Sequence, residues 1–310
     1  MIKKIIAALN YSMTRVLALY VIVILLTYRF FNVDQIFHRA RLKTLNRMAS
    51  SDCSQITDVV EKGLPLDKEI LEEYRFYYEK VIEYLDYGAD GYGLLAFFNY
   101  YLGNEKGAVD FYEEALQRMP DFFIFNYNLG VIYFQKGEYE KALQCLKKAV
   151  LTDLNRNFEL ITSSRLFWPY FNKDTEAIER DLKLRGRDNH LNAYKMLVFS
   201  SYHLKKFSEV IQFCNEALTV SLPDDEFFLY YLGLAMYELK QYDESIRFMS
   251  RVIKKDEKHG DAFYYIGMGL NMKGKRQEAQ GFLYRAEIFG KDKDREKEEQ
   301  FKNSLTVKLF

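Results

Sequence analysis

The residue types best suited to chemistry are few and far apart in this chain. Its 310 residues include three cysteines, Cys53, Cys145 and Cys214, and four histidines. No two cysteines form a C-x-x-C pair, and no two histidines are three or four residues apart. Zinc sites and disulfide frameworks depend on such spacings, so we predict neither. Cys145 and Cys214 are interpreted as small residues of a helical core.

Sequence signatures of phosphate binding and catalysis are missing as well. The nearest candidate, Gly269 to Arg276 (GLNMKGKR), lacks the hydroxyl residue that binds Mg²⁺ in a P-loop. Gly91 and Gly93 have no third glycine to complete a dinucleotide-binding turn. The 44 Lys and Arg residues are balanced by 44 Asp and Glu residues, which removes the electrostatic reason to expect nucleic acid. We predict no enzyme, cofactor, metal or small-molecule substrate.

An apolar segment near the beginning of the chain favours a membrane anchor. Residues 16–28 are uncharged, and residues 13–33 as a helix would span about 30 Å, the thickness of a hydrocarbon core. The flanking Arg15 and Arg29 can reach opposite interfaces. We predict a transmembrane helix within residues 1–33. The alternatives are a cleaved signal peptide, for which no small-residue cleavage site follows, and a buried core helix.

Basic residues around this segment bear on its orientation. Residues 34–54 form a basic juxtamembrane segment, and five Lys and Arg residues follow the span closely, against three and the α-amine before it. Because basic residues favour the cytoplasmic side, we predict a single-pass membrane protein whose remaining chain faces the cytoplasm. Placement of the remaining chain on the opposite side of the membrane is the alternative.

A period of 34 residues runs through the rest of the chain. A shift by 34 aligns Ala96 with Gly130 and Gly103 with Gly137, and the same spacing recurs after Gly267. Small residues at these positions let two antiparallel helices approach closely, and a glycine between them ends the first helix in the left-handed conformation. Each period is therefore predicted to be a helical hairpin that buries its faces against its neighbours.

This pattern resembles the tetratricopeptide repeat. Asn126 departs from the family pattern, which prefers Trp there. The family's L-G-x2-Y…A-x3-F…A signature appears as Leu129, Gly130, Tyr133, Ala142, Leu146 and Ala149. The resemblance implies an all-α fold, a right-handed superhelical array of antiparallel hairpins. Its units are 55–88, 89–122, 123–156, 157–190, 191–224, 226–259 and 260–293.

Two units and the C-terminal residues differ from the rest of the array. Unit 55–88 is divergent and unit 157–190 has lost the small-residue signature, so whether both form full hairpins remains open. Residues 294–310 carry Phe301, Leu305 and Leu309 four residues apart. This spacing predicts a C-terminal capping helix that covers the last hairpin.

The resemblance also implies a binding surface, because the first helices of such arrays line a concave groove. A protein or peptide segment is the partner it implies. Asn128, Asn192 and Lys195 do not reproduce the Lys, Asn and Arg set with which some family members clamp a carboxylate. The groove positions are aromatic here, although many of these side chains could instead fill the core between helices: Phe97, Tyr100, Tyr101, Tyr127, Phe134, Phe199, Tyr202, Tyr230, Tyr237 and Tyr264.

These observations favour a non-catalytic, membrane-anchored tetratricopeptide scaffold or adaptor. It would recruit a protein partner to a membrane or an assembly through an aromatic groove. Two alternatives remain open. One is a structural subunit of a larger membrane protein complex, and the other is a catalytic or enzyme-regulating protein.

Overall fold

The structure is a computed structural model that describes residues 67–85, 88–164, 175–290 and 293–308, together with Leu17, Tyr20 and Val21. Within this part of the chain there are helices and turns but no strand, which confirms the all-α prediction. The helices are α1 (Lys68–Leu85), α2 (Gly88–Tyr101), α3 (Glu105–Arg118), α4 (Phe123–Gln135), α5 (Tyr139–Leu151), α6 (Leu154–Ser163), α7 (Thr175–His203), α8 (Phe207–Val220), α9 (Glu226–Glu238), α10 (Tyr242–Lys255), α11 (Gly260–Met272), α12 (Arg276–Phe289) and α13 (Lys293–Ser304).

The predicted membrane helix within residues 13–33 and the basic segment 34–54 lie outside the described residues, apart from Leu17, Tyr20 and Val21. Every helix in the described ranges is too short or too polar to span a bilayer. The membrane anchor therefore stays a prediction.

Consecutive helices pack as hairpins, and the hairpins stack into a solenoid. The hairpin pairs are α2 with α3, α4 with α5, α7 with α8, α9 with α10, and α11 with α12. Neighbouring hairpins are joined by contacts of α3 with α4, α5 with α7, α8 with α9, and α10 with α11. Each unit thus buries its apolar faces against the next one, as in other repeat arrays.

Small residues set the distance between the two helices of a hairpin. A Cβ atom placed on Gly130 in α4 would lie 2.7 Å from the side chain of Leu146 in α5. Glycine therefore lets the leucine side chain pack directly on the helix backbone. The same separation of 16 residues relates Gly233 to Met249, which confirms the physical interpretation of the small-residue pattern.

The turns inside the hairpins share one conformation. Gly137 has a φ of 75°, and Lys205 and Lys240 have φ values of 57° and 61° at the corresponding turns. The amide of Lys240 donates to the carbonyl oxygen of Tyr237 at 2.9 Å. A residue with a Cβ atom pays roughly 1–2 kcal/mol for this left-handed conformation. The array therefore imposes the turn even where the sequence lacks glycine.

Helix α7 departs from the predicted unit boundaries. Its 29 residues run through the boundary expected between residues 190 and 191. Residues 165–174, which include Pro169, lie outside the described part. The sequence of α7 contains no proline and a single glycine, Gly186, so no residue in it forces a turn. One helix therefore serves both the unit 157–190 and the unit 191–224.

The end of the described chain also differs from the prediction of one capping helix over 294–310. Helix α13 ends at Ser304, and residues 305–308 are not helical. We call residues 305–308 the returning segment, because they lie against α2 and α4, far back in the sequence. Leu305 and Val307, at alternating positions, are 3% and 0% exposed. The β-branched Thr306 and Val307 favour this non-helical backbone.

Candidate functional site

The first helices of the hairpins carry the surface on which the returning segment lies. Contacts join α4 to α7, α7 to α9, and α9 to α11, so these helices form a continuous row. We call the face of this row that meets α13 and the returning segment, together with Tyr101 at the end of α2, the inner surface. Its contacting residues are Tyr101, Asn128, Phe134, Gln135, Phe199 and Phe227.

Asn128 binds the backbone of the returning segment with both ends of its side-chain amide. The amide nitrogen of Lys308 donates to Asn128 Oδ1 at 2.7 Å. Asn128 Nδ2 donates to the carbonyl oxygen of the same lysine at 2.6 Å. A paired contact of this kind recognises both main-chain groups of one residue, whichever side chain that residue carries.

Two further side chains bind backbone carbonyl groups of the returning segment. The hydroxyl of Tyr101 donates to the carbonyl oxygen of Val307 at 2.8 Å. Gln135 Nε2 donates to the carbonyl oxygen of Leu305 at 2.9 Å. Together with Asn128, these groups satisfy main-chain atoms that burial would otherwise leave unpaired.

The spacing of Asn128 and Gln135 matches the spacing of the peptide units that they bind. The two residues are two helical turns apart on α4, which corresponds to about 10 Å along the axis. Residues Leu305 and Lys308 are three positions apart, also about 10 Å in an extended chain. The segment therefore runs extended along α4, in the opposite direction.

Neighbouring side chains hold these polar groups in place. Asn128 Nδ2 also donates to the hydroxyl of Tyr112 at 2.9 Å, and both residues are buried. The hydroxyl of Tyr100 donates to Gln135 Oε1 at 3.0 Å, which fixes the orientation of that amide. Burial raises the pKa of Tyr101 and of Tyr112, so both hydroxyls are neutral at physiological pH.

Aromatic rings anchor α13 beside the returning segment. The ring of Phe301 lies 6.0 Å from that of Phe134 and 5.7 Å from that of Phe227. Lys302 Nζ donates to the hydroxyl of Tyr139 at 3.0 Å and lies 5.1 Å from the centre of the Phe199 ring. Such cation–π contacts add to the apolar packing. Two adjacent side chains thus attach a mostly charged helix.

The structure places four of the ten predicted groove residues in the core. Phe97, Tyr127, Phe134 and Phe199 are buried, and the ring of Tyr127 stacks on that of Phe123. The alternative that aromatic residues fill the space between helices therefore holds for these four. Phe134 and Phe199 nevertheless contact residues of α13.

The other six predicted residues are half-buried. Tyr100 and Tyr101 lie close to the returning segment, as described above. The rest are tyrosines farther along the row, and each ring contacts another aromatic ring: Tyr202, Tyr230, Tyr237 and Tyr264. The structure thus brings only part of the predicted set to one place. The role of all ten residues in partner binding stays a prediction.

Sequence reasoning missed the two amides. Asn128 was considered for a carboxylate clamp and rejected, and Gln135 was not considered. The available signal was an asparagine between Tyr127 and Leu129 in an otherwise apolar helix, because a buried amide requires hydrogen-bond partners. The alternation of Leu305 and Val307 was a second signal, and the four-residue spacing of Phe301 and Leu305 concealed it.

The described residues offer little support for catalysis or metal binding. They contain no group of three or more His, Cys, Asp or Glu side chains that could hold a metal ion. Burial raises the pKa of Cys145 to about 11 and that of Cys214 well above its usual value. Both thiols are therefore protonated at physiological pH and poor nucleophiles.

Comparison with known proteins supports the repeat assignment. Residues 126–153 and residues 228–259 each match the tetratricopeptide repeat family. These segments coincide with parts of the α4–α5 and α9–α10 hairpins. Tetratricopeptide repeats generally serve as non-catalytic modules that bind protein or peptide partners, and neither match indicates an enzyme family.

Two curated relatives are similar over part of their length. The TPR repeat-containing protein MJ1428 of Methanocaldococcus jannaschii is 23% identical over 228 residues, covering 69% of this chain and 39% of the relative. The BBSome complex member BBS4 of Bos taurus is 21% identical over 168 residues, covering 54% of this chain and 32% of that protein. The chain thus spans 39% and 32% of the lengths of these two relatives.

Two solved structures are similar over most of their length. The crystal structure of YrrB, described as a TPR protein with an unusual peptide-binding site, has a TM-score of 0.50 and 18% identity. The similarity covers 72% of this chain and 97% of YrrB. The crystal structure of MamA has a TM-score of 0.46 and 20% identity, covering 65% of this chain and 95% of MamA. The similarity to YrrB supports a TPR-like solenoid.

Proposed function

We propose that this chain is a non-catalytic scaffold that binds an extended segment of a protein partner on its inner surface. One observation carries the proposal: Tyr101, Asn128 and Gln135 bind the main chain of an extended segment in register. Main-chain recognition is a general means of capturing a peptide, because every peptide offers the same groups.

The tetratricopeptide repeats and the peptide-binding site named for YrrB support the same class of function. The half-buried tyrosines Tyr230, Tyr237 and Tyr264 would extend the contact along the row of first helices. Tyrosine supplies contact area at low entropic cost, and its hydroxyl can satisfy a partner's backbone.

The proposal includes an anchor in the membrane through residues 13–33, with the array on the cytoplasmic side. Anchoring raises the effective concentration of the surface near membrane-bound partners, which suits a weak peptide contact. Protease treatment of intact cells or spheroplasts tests the side. We expect the array to resist digestion until the membrane is opened, and digestion of sealed cells would contradict the cytoplasmic placement.

A structural subunit of a larger complex is the second candidate function, and the similarity to a protein named as a BBSome complex member favours it. A permanent subunit would be degraded or insoluble when made without its partners. A recruiting scaffold would accumulate as a folded protein on its own. Expression of the chain alone, followed by size-exclusion chromatography, separates the two.

Peptide selection tests the binding function directly. A random peptide library is panned against the 310-residue chain with Leu305→Asp and Val307→Asp, which free Tyr101 and Gln135 from the returning segment. The affinities of selected peptides are then measured after Tyr101→Phe and Gln135→Ala are added. We expect an affinity loss of tenfold or more, because two main-chain hydrogen bonds are removed. Tyr284→Phe, at an exposed tyrosine of α12, is the matched control. Failure to select any peptide, or affinities that do not change, would contradict the proposal.

A further inference from the structure

We propose that the returning segment, residues 305–308, is an internal competitor for the partner, and that the partner's segment carries apolar side chains at two alternating positions. This inference rests on the proposed function of the inner surface. The structure then contains both the binding site and a copy of the type of ligand that it recognises.

The inner surface binds the returning segment chiefly through its main chain. Tyr101, Asn128 and Gln135 bind backbone atoms of residues 305, 307 and 308. The Tyr101 hydroxyl also forms a hydrogen bond with the side chain of Thr306. Another extended segment could make the same hydrogen bonds, but two segments cannot make them at once. Binding of a partner at this place therefore requires that the returning segment leave.

The inner surface also selects side chains of the returning segment. Leu305 and Val307 belong to the hydrophobic core, whereas Thr306 and Lys308 are only half-buried. The inner surface thus accepts two apolar side chains that are separated by one residue. This spacing is expected when alternate residues of an extended chain point to the same side. A competing segment of similar affinity should repeat this apolar-x-apolar pattern.

The returning segment can detach without dismantling the array. Helix α13, which precedes it, has the sequence KDREKEEQFKNS, and among its described side chains Phe301 and Lys302 contact the array. The two helices of each hairpin from α2 to α12 pack against each other, and the contacts of α13 with α11, Phe134 and Phe227 are additional to that packing. Release of α13 and the returning segment therefore leaves every hairpin contact in place.

Internal competition has a measurable consequence. If the returning segment occupies the surface most of the time, the apparent dissociation constant of a partner exceeds its intrinsic value in proportion to that occupancy. Removing the competitor should then increase the affinity for a peptide that resembles it.

The test uses a fluorescent peptide with the sequence NSLTVKLF, residues 303–310, acetylated and amidated, with binding measured by anisotropy. The protein is the 310-residue chain, either unchanged or with Leu305→Asp and Val307→Asp, which place two charges in an apolar site and release the segment. We expect the double variant to bind the peptide at least tenfold more tightly. The double substitution Asn303→Asp and Ser304→Asp adds the same charge at exposed positions and should behave as the unchanged chain.

Two further comparisons identify the site and the side-chain rule. In the chain with Leu305→Asp and Val307→Asp, called the released chain, adding either Tyr101→Phe or Gln135→Ala should lower the affinity for the peptide at least threefold. Both substitutions are mild and preserve the helices. In the peptide, Thr306→Ala with Lys308→Ala should leave binding within threefold, whereas Leu305→Asp with Val307→Asp should abolish it. Equal affinity of these two peptides would overturn the side-chain rule.

The outcomes separate this inference from the proposed function. Absence of NSLTVKLF binding to the released chain, or equal binding to both chains, overturns the internal competitor. If library peptides still bind in a manner that depends on Tyr101 and Gln135, the proposed function stands alone; if they do not, both proposals fail. The inference would also be overturned if the unchanged chain were a dimer and the variant with Leu305→Asp and Val307→Asp were a monomer. The segment would then bind a second copy of the chain.

Discussion

Helices α4 and α11 occupy the same place in their hairpins but differ in how they are covered. In α4 the residues from Phe123 to Phe134 are all buried. In α11, Tyr264, Tyr265 and Met268 remain half-buried although the helix is of equal length. The returning segment lies along the inner side of α4 and accounts for part of this difference. Two copies of one repeat can therefore present either a covered or an accessible surface.

The polar residues of the two helices differ in the same sense. Helix α4 carries Asn128 and Gln135, whose amides bind a main chain. Helix α11 carries neighbouring tyrosines, and Tyr265 packs at 5.2 Å from Tyr237 of α9. Asn128 and Gln135 of α4 thus mark the place where a peptide backbone lies, whereas aromatic residues alone also fill space between helices. Mutations that affect the two regions unequally test this distinction.

The largest effect is expected for Asn128→Ala. It removes the hydrogen bonds to Lys308 and leaves the buried hydroxyl of Tyr112 without that partner, so we expect a loss of about 3 kcal/mol in the free energy of unfolding. Asn271→Ala, at an exposed asparagine of α11, should change it by less than about 0.5 kcal/mol. Urea unfolding followed by circular dichroism measures both. Equal losses would remove the distinction between the two helices.

Glycine replacements give the next largest effect. A Cβ atom on Gly93 of α2 would lie 2.1 Å from the ring of Phe125, which is buried among other rings. We expect Gly93→Ala to cost about 2 kcal/mol, because overpacking exceeds the gain in helix propensity. In Gly233→Ala the new atom meets the flexible side chain of Met249 at 2.8 Å, so the net change should be within about 1 kcal/mol. Urea unfolding measures both free energies. A larger loss of unfolding free energy for Gly233→Ala than for Gly93→Ala would contradict the expectation that the Phe125 ring yields less than the Met249 side chain.

A gain in stability is expected at the turn between α9 and α10. Lys240 has a φ of 61°, a conformation that glycine adopts without strain. Lys240→Gly should therefore raise the unfolding free energy by up to about 1 kcal/mol, measured by urea or thermal unfolding. The control Gln280→Gly, at an exposed position within α12, should lower it by about 1 kcal/mol. Loss of stability in both variants would contradict the strain assigned to the turn.

The smallest effect is a pH dependence of stability that originates beside the first turn of α4. The ring of His190 stacks on that of Phe123 in α4, and burial lowers its pKa below 6.5. The unfolded chain then binds more protons between pH 6.5 and the lower folded pKa, so stability decreases as the pH falls through this window. His190→Gln should reduce this decrease, measured as the urea midpoint at pH 7.5 and pH 5.5. An unchanged pH profile would exclude His190 as its source.

The hairpins could be predicted because their signal lies in small residues that leave no alternative packing. Gly130 and Leu146 require a close approach of two helices, and the 34-residue period repeats that requirement. The continuity of α7 could not be read in the same way, since the regular period suggested a turn that no residue near 190 demands. A helix simply continues where nothing ends it.

The binding surface could be predicted only in part. The register placed Tyr101 on the inner side, but Phe97 and Tyr127 on the same list proved to be core residues. Asn128 and the returning segment were missed because their importance arises from a contact across 180 sequence positions. Local periodicity contains no information on such a contact.

The returning segment also changes how the molecule can unfold. In an open repeat array each unit contacts only its neighbours, so the end units fray independently. Here Tyr101 of the first described hairpin is bonded to Val307, 206 positions away. This link closes the row of hairpins into a loop, which increases the mean sequence separation of contacts and slows folding. In return, the returning segment cannot leave, nor the first hairpin open at Tyr101, until this hydrogen bond breaks.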